Sequence, residues 1–308
     1  MTTLNLSQQS AKTLDIEKRK LEAKLLPDVK RIFRNISIDA RNLYKATGNL
    51  PSRELASNYN SDFTKEIRDI YRTTIKKFGF QIRKDVEKKH GLFFDAEYKS
   101  ELLGLELKQS ISVVDENIND KLDNINNEFA LAATLFIANQ SEQQTEFIED
   151  TNGKMIETAL LVGSLLYEED LQKIRREGGN DNLFIKNKKT IIANNIKKNL
   201  DSKIDGRSEL IVNQNVGDAE SWGRQKEAEL LNQSQLVSTR EEIIKVSKTW
   251  STILDSSTRT DHAIADGQVV DDVDGFFLVG GEQGKRPRDD SFSMKNKANC
   301  RCVAIYSV

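Results

Sequence analysis

The chain has 308 residues, of which 37% are hydrophobic and 31% charged, and its formal net charge is −2. The global positive excess that marks a non-specific nucleic-acid binder is absent, so any such role has to sit in a local patch. The mean hydropathy is −0.57. No apolar run approaches the ~18 residues of a bilayer crossing, and the polar start MTTLNLSQQS predicts no signal peptide.

At roughly 100–200 residues per domain, the length suits about two domains. The chain holds only three prolines, and abundant Lys, Glu, Leu and Ile favour long helices. Residues 12–45 place Leu14, Leu21, Leu25, Val29, Ile32 and Ile36 at mostly helical steps, an amphipathic helix that Pro27 is expected to kink or split. Gly48-Asn49-Leu50-Pro51 marks a break. A second helix carries Phe63, Ile67, Ile70, Tyr71, Ile75 and Phe78 on one face. Gly91 ends that region, and Asp95 is positioned to cap a short helix before Gly104.

From Gly104 to Gln140, the residues Leu107, Ile111, Val114, Ile118, Leu122, Ile125, Phe129 and Ala133 step by three and four. They predict one long helix with a single apolar stripe that needs a partner to cover it. The run Ala159 to Tyr167 reads as a buried helical segment. Gly178-Gly179-Asn180-Asp181-Asn182 is a loop and a candidate hinge. Ser208 to Val216 and Ala219 to Leu231 read as two helices, and Ser238 to Glu241 has capping-box spacing. Val246, Lys248 and Trp250 alternate as in a strand. Beyond Asp255 glycines crowd together in a turn-rich hairpin region. Val269-Val270, Phe276 to Val279 and Cys300 to Tyr306 read there as short strands.

Charge is uneven. Residues 95–150 hold thirteen acidic side chains against three lysines, whereas residues 173–207 hold ten basic against four acidic. Charge runs are usually solvated faces. The sharper reading sets Lys186, Lys188, Lys189, Lys197, Lys198 and Lys203 against DNA phosphates.

The final stretch carries an ordered motif. It runs Lys248-x-Trp250-x-Thr252-x-x-Asp255-x-x-Thr258-Arg259-x-x-His262, then Gly267, Phe276-Phe277, Pro287-x-Asp289 and Asn299-Cys300-Arg301-Cys302. This set resembles the C-terminal half of the phage head morphogenesis domain, the Mu protein F-like family, over about the last hundred residues. Two departures are visible. Arg288 stands where that family usually has glycine, and Ile211-Val212-Asn213-Gln214 replaces an A-R-T-E-like stretch. The resemblance implies a minor head protein of the virion, partnered by the portal protein, the major capsid protein or both. It also implies a place in the head interior or at the portal vertex, reached from the host cytoplasm during assembly, with genomic DNA as a further partner. Alternative readings are a DNA-binding protein ejected with the genome and a metal-dependent nuclease-like enzyme.

The same residues admit other physical readings. His262, Cys300 and Cys302 are zinc-ligand types, with Asp289 or Asp261 as a fourth, although C-x-C is not the usual chelate spacing. The plainer alternative is two small buried cysteines in a terminal strand, with His262 hydrogen-bonded near Asp255. Asp255 and Arg259 then read as an ion pair. The two cysteines are too close to bridge each other, which predicts no disulfide framework and a reducing compartment. No P-loop, G-x-G-x-x-G, H-E-x-x-H or G-x-S-x-G is present, so a non-enzymatic role without a cofactor is expected. The sequence thus predicts a mostly α protein: an elongated helical body over 1–205 and a small α+β domain over 206–308. Trp250, Phe276, Phe277, Val303, Ile305 and Tyr306 would form that domain's core, and the protein is expected to be oligomeric in the virion.

Overall fold

Long helices take up most of the chain, as its scarcity of proline leads one to expect. The computed structural model describes residues 2–83, 97–100, 105–108, 116–234, 243 and 245–307. Helices α1 (Thr2–Thr47), α2 (Ser52–Ser57) and α3 (Asn60–Phe78) come first, then strands β1 (Glu97–Ser100) and β2 (Leu105–Lys108). Helices α4 (Glu116–Arg176), α5 (Asn182–Lys186), α6 (Lys188–Asp201) and α7 (Ile204–Gln233) follow. The C-terminal part holds β3 (Ser247–Ser251), α8 (Thr260–Ala265), β4 (Val269–Val270), β5 (Phe277–Val279), β6 (Glu282–Gly284), α9 (Met294–Lys297) and β7 (Val303–Ser307). The protein is mostly helical with a small set of short antiparallel strands at its end. Among the described residues no helix is long and apolar enough to cross a membrane.

Two compact units emerge, each discontinuous in sequence. One comprises Met1–Ala23, Ile70–Ala138 and Asn213–Val308, and the other Lys24–Asp69 and Asn139–Val212. The sequence-read cut at 205/206 falls in the first turn of α7, and the strand-bearing unit also takes in two earlier segments.

The second unit is helical throughout its described residues. Ile32, Phe33, Ile36 and Ala40 of α1, Phe63 and Ile67 of α3, Ile148, Ile156 and Ala159 of α4, and Ile192, Ala193 and Ile196 of α6 are buried. Phe33 meets Phe63 edge-on, with ring centroids 5.3 Å apart. Two polar contacts lie inside it: Ser37 Oγ donates to Asp201 at 2.6 Å, and Thr64 and Thr145 share a bond of 3.0 Å. The predicted break at residues 48–51 stands between helices, and so does the predicted loop as far as Asp181; Asn182 already opens α5.

Several sequence expectations give way here. Pro27 does not split α1, which runs through it; the missing N–H costs a single intrahelical bond, and the buried residues on both sides hold the helix together. The Ala159–Tyr167 run is buried on one side only, with Leu161, Leu165 and Leu166 exposed. Among the described residues before Gly104, Glu97–Ser100 is not the expected short helix but a strand, paired antiparallel with Leu105–Lys108. The long helix therefore starts at Glu116 rather than Gly104. It runs on to Arg176, 61 residues in all, or roughly 90 Å at 1.5 Å per residue. The misreading has a physical cause: Leu105 and Leu107 alternate with Glu106 and Lys108, and Leu107 fits a period of two as well as a step of four. Gly91, Asp95, Ile111, Val114 and the Ser238–Glu241 capping box lie outside the described residues.

The strand-bearing unit is organised around the second half of α7. Ser208–Val216 and Ala219–Leu231 are one helix and not two. Gly217, between the two expected helices, is a notch: a Cβ there would come within 2.6 Å of Arg288 Nε. The predicted apolar stripe needs no outside partner where it is described, since Ile125, Phe129 and Ala133 are buried within this unit. Phe136 stacks on Trp222 at 4.2 Å. β3 lies between β4 and β7 in an antiparallel sheet. β5 and β6 form a hairpin whose turn residues Gly280 and Gly281 both have positive φ, +59° and +83°, the backbone that tight two-residue turns require. Trp250, Phe277, Val303 and Tyr306 are buried as expected, but Phe276 is exposed and Ile305 only half-buried. In a strand alternate residues face one way, so only one of two adjacent phenylalanines can point inward.

Candidate functional site

The ordered motif closes on one place in the strand-bearing unit. Trp250 sits mid-strand in β3, 1% exposed. Its ring meets Phe277 edge-on at 5.3 Å and His262 at 5.9 Å. Trp250 Nε1 donates to Thr252 Oγ1 at 3.1 Å, and Thr252 Oγ1 donates to the His262 carbonyl at 2.9 Å. Thr252 N donates to Asp266 Oδ1 at 2.7 Å. This chain of bonds ties α8 to the end of β3. Gly267, at φ +79°, turns the chain back to β4, its N–H donating to the Trp250 carbonyl at 2.9 Å.

His262 is buried on the inner face of α8. Asn299, in the left-handed region at φ +53°, turns the chain out of α9 into Cys300-Arg301-Cys302 and β7. Residues i and i+2 of an extended segment share a side. Cys300 and Cys302 accordingly both face His262, with their Sγ atoms 3.5 and 3.3 Å from its Nδ1. The three side chains are buried, and their ligand-type atoms all lie within 4.8 Å of one another. Contact with Cys302, together with His262 and Arg288, pushes the Cys300 thiol well below its ordinary range, and contact with Cys300 and burial push the Cys302 thiol well up.

Arg301 faces the other way and binds both carboxylate oxygens of Asp255 at 2.5 Å. That contact holds the Asp255 carboxyl below its usual range. Two expectations are corrected here. Asp255 pairs with Arg301 and not with Arg259, whose guanidinium donates to the Ala298 carbonyl. His262 makes its ring contacts with the cysteines rather than near Asp255. The reason is local: α8 begins only at Thr260, so Asp255 lies in the preceding loop and helical i,i+4 spacing does not apply.

The Pro287-x-Asp289 segment braces the site. Arg288 adopts φ +62°, the conformation that suits glycine, and its side chain repays that strain with buried bonds. Its Nε donates to the Cys300 carbonyl at 2.7 Å, one Nη donates to the Gln214 carbonyl at 3.0 Å, and the same atom lies 3.7 Å from Asp218. Ser221 donates to the Pro287 carbonyl at 2.6 Å. Asp289 accepts from the N–H groups of Lys285 and Ser291. Asp261 takes Lys295 at 2.9 Å. Neither of the two carboxylates expected as a fourth metal ligand joins the cluster.

Two features escaped the sequence reading. A cavity of about 450 Å³ borders His262, Cys300 and Cys302, lined also by Arg259, Arg301 and Asn299 and by Asp15, Lys18, Arg19 and Glu22 of α1. Nothing in the sequence ties α1 to the C-terminal motif. Lys248 is fully buried, its Nζ donating to the carbonyls of Val273 at 2.5 Å and Lys285 at 2.7 Å. Burial lowers its pKa to about 8, against the pull of Glu229. Its alternation with Trp250 does place it on the inner face.

The lysine-rich stretch is built differently. Lys186, Lys188, Lys189, Lys198 and Lys203 are exposed. Lys188 pairs with Glu168 at 3.3 Å, Lys197 pairs with Asp201, and Lys189 Nζ donates to the Thr47 carbonyl at 3.4 Å. At 100° per residue, Lys188, Lys189, Lys197 and Lys198 point in four directions around α6 and form no single stripe.

A stretch of 65 residues, 21% of the chain, is 34% identical to the minor head protein GP7 of Bacillus phage SPP1. It covers 21% of that protein, so the chain matches about a fifth of the length of this relative. No protein-family model matches the chain, and no solved structure matches it.

Proposed function

We propose that this chain is a structural component of a bacteriophage head, a minor head protein of the Mu protein F-like kind. The observation that carries the reading is the likeness to the minor head protein of phage SPP1. The resemblance of residues 248–302 to the head morphogenesis domain supports it, and these residues fold around one buried centre. In finer terms we assign the protein to the portal or inner capsid wall of the virion, in contact with the portal or major capsid protein and in more than one copy. A non-catalytic role fits the polar groups of the site, which are spent on internal bonds: Arg259 on Ala298, Arg301 on Asp255, Arg288 on Cys300.

Quantitative mass spectrometry of purified particles of the encoding phage, full and after DNA ejection, tests this. The expected result is a few copies per particle, retained after ejection. Loss on ejection would replace the portal reading with a protein delivered with the genome. Absence from both kinds of particle would overturn the structural role.

A further inference from the structure

We infer that His262, Cys300 and Cys302 form a three-ligand site for a thiophilic divalent cation, zinc in the first instance, with its fourth coordination position open to the adjoining cavity. The inference does not depend on the phage-head reading. It starts from distances. Zinc bonds of about 2.3 Å to sulfur and 2.0–2.1 Å to nitrogen, set tetrahedrally, place S and N about 3.6 Å apart. The two Sγ–Nδ1 separations are 3.3 and 3.5 Å, so an ion fits with little movement of the side chains.

The chemistry of the donors agrees. One imidazole nitrogen and two thiolates are borderline-soft ligands suited to zinc. A divalent cation with two thiolates is neutral overall, which suits a buried place where net charge is costly. Without the ion, the ring's bonding partners are two sulfurs, which accept and donate weakly. The C-x-C spacing is no obstacle, because the extended backbone puts both sulfurs on one side while Arg301 turns away to Asp255. The ligands are held in advance: Thr252 Oγ1 bonds the His262 carbonyl at 2.9 Å and lies 3.5 Å from Cys302 Sγ, and Arg288 holds the Cys300 carbonyl.

The fourth position has no protein ligand among the described residues. Asp261 is committed to Lys295 and Asp289 to its own turn. The cavity of about 450 Å³ has room for a water there. Binding takes both sulfurs as thiolates and releases to solvent the protons they still carry, so affinity falls as the medium is acidified.

The test uses the full chain purified without chelator. Elemental analysis is expected to find about one zinc per chain, and the metal-free chain titrated with cobalt(II) should give tetrahedral bands with thiolate-to-cobalt charge transfer. Cys300→Ser and Cys302→Ser should each weaken zinc binding by about 100-fold or more, and Thr252→Val, which frees both ligands without removing either, by about tenfold. A wild-type chain that holds no zinc and leaves cobalt in its octahedral aqua form would overturn the proposal. So would a Cys300→Ser/Cys302→Ser chain that keeps its zinc. If the serine variants do not fold, the wild-type cobalt titration decides alone.

Discussion

The C-terminal motif region and the lysine-rich stretch over residues 173–207 are both rich in polar side chains, but they use them in opposite ways. In the first, Lys248, His262, Arg286, Arg288 and Asn296 are buried, and Lys248 and Arg288 bond backbone carbonyls at fixed places. In the second most of the lysines stand in solvent, and Lys188 and Lys197 meet carboxylates through exposed or half-exposed pairs, which contribute at most about 1 kcal/mol each. A buried polar group depends on its position, because removing it leaves a partner unsatisfied. An exposed one counts only through the sum of charge around it. The two regions should therefore respond very differently to single substitutions.

The largest expected effect is at Trp250. It joins β3 to Phe277 and His262 and anchors Thr252, and Trp250→Ala should cost about 3–5 kcal/mol, read as a lowered midpoint in urea unfolding. A cost under about 1 kcal/mol would show that the motif region is not the packed core described here.

Lys248 sharpens the comparison through pH. Its folded pKa of about 8 lies below the ordinary lysine value of 10.5. Between those values the unfolded chain binds more protons than the folded one, so stability rises with pH across that window and is lost as pH falls through about 8. The expected size is roughly 3 kcal/mol at most. Cysteines and tyrosines titrate nearby, so the quantity to measure is the difference between the wild type and Lys248→Met, whose own profile should lack this rise. Parallel profiles for the two proteins would mean that Lys248 is not desolvated.

Gly217→Ala comes next. The new methyl would displace the Arg288 guanidinium and with it the bonds to Cys300 and Gln214, at about 1–3 kcal/mol. Pairing it with Arg288→Gly, which restores the residue that the resembled family usually carries there, should recover part of that loss. Simple addition of the two costs would rule out the notch.

These residues also show what the sequence could tell. Trp250 was legible because a strand alternates, and the Gly280-Gly281 hairpin because its turn needs glycine; the same alternation sets Lys248 on the inner face, but its charge hid its burial. The Asp255–Arg301 pair was not, since helical spacing favoured Arg259 and the start of α8 is set by tertiary packing. The role of α7 was hidden as well. Its buried face includes Asn215, Asp218, Glu220, Arg224, Gln225 and Glu227, so apolar periodicity gives no signal for a central helix. The convergence of His262 with the cysteines was suggested by residue type alone. The cavity needed α1, which is more than two hundred residues away in sequence.

The smallest effect is expected from Lys186→Glu/Lys198→Glu/Lys203→Glu. All three lysines are exposed, and surface changes of this kind fall within about 0.5 kcal/mol each, so the unfolding midpoint should hardly move. Binding is the more telling readout. Clustered cations on one face would give DNA retention that falls steeply with salt and collapses in the triple variant. Lysines that surround α6 and pair with Glu168 and Asp201 should neutralise few phosphates at once. Retention on DNA is therefore expected to be weak and to differ little between wild type and variant at moderate salt. Strong wild-type retention that the variant loses would reverse the contrast between the two regions: the exposed stretch would then carry a specific function, with its charges acting together on a polyanion.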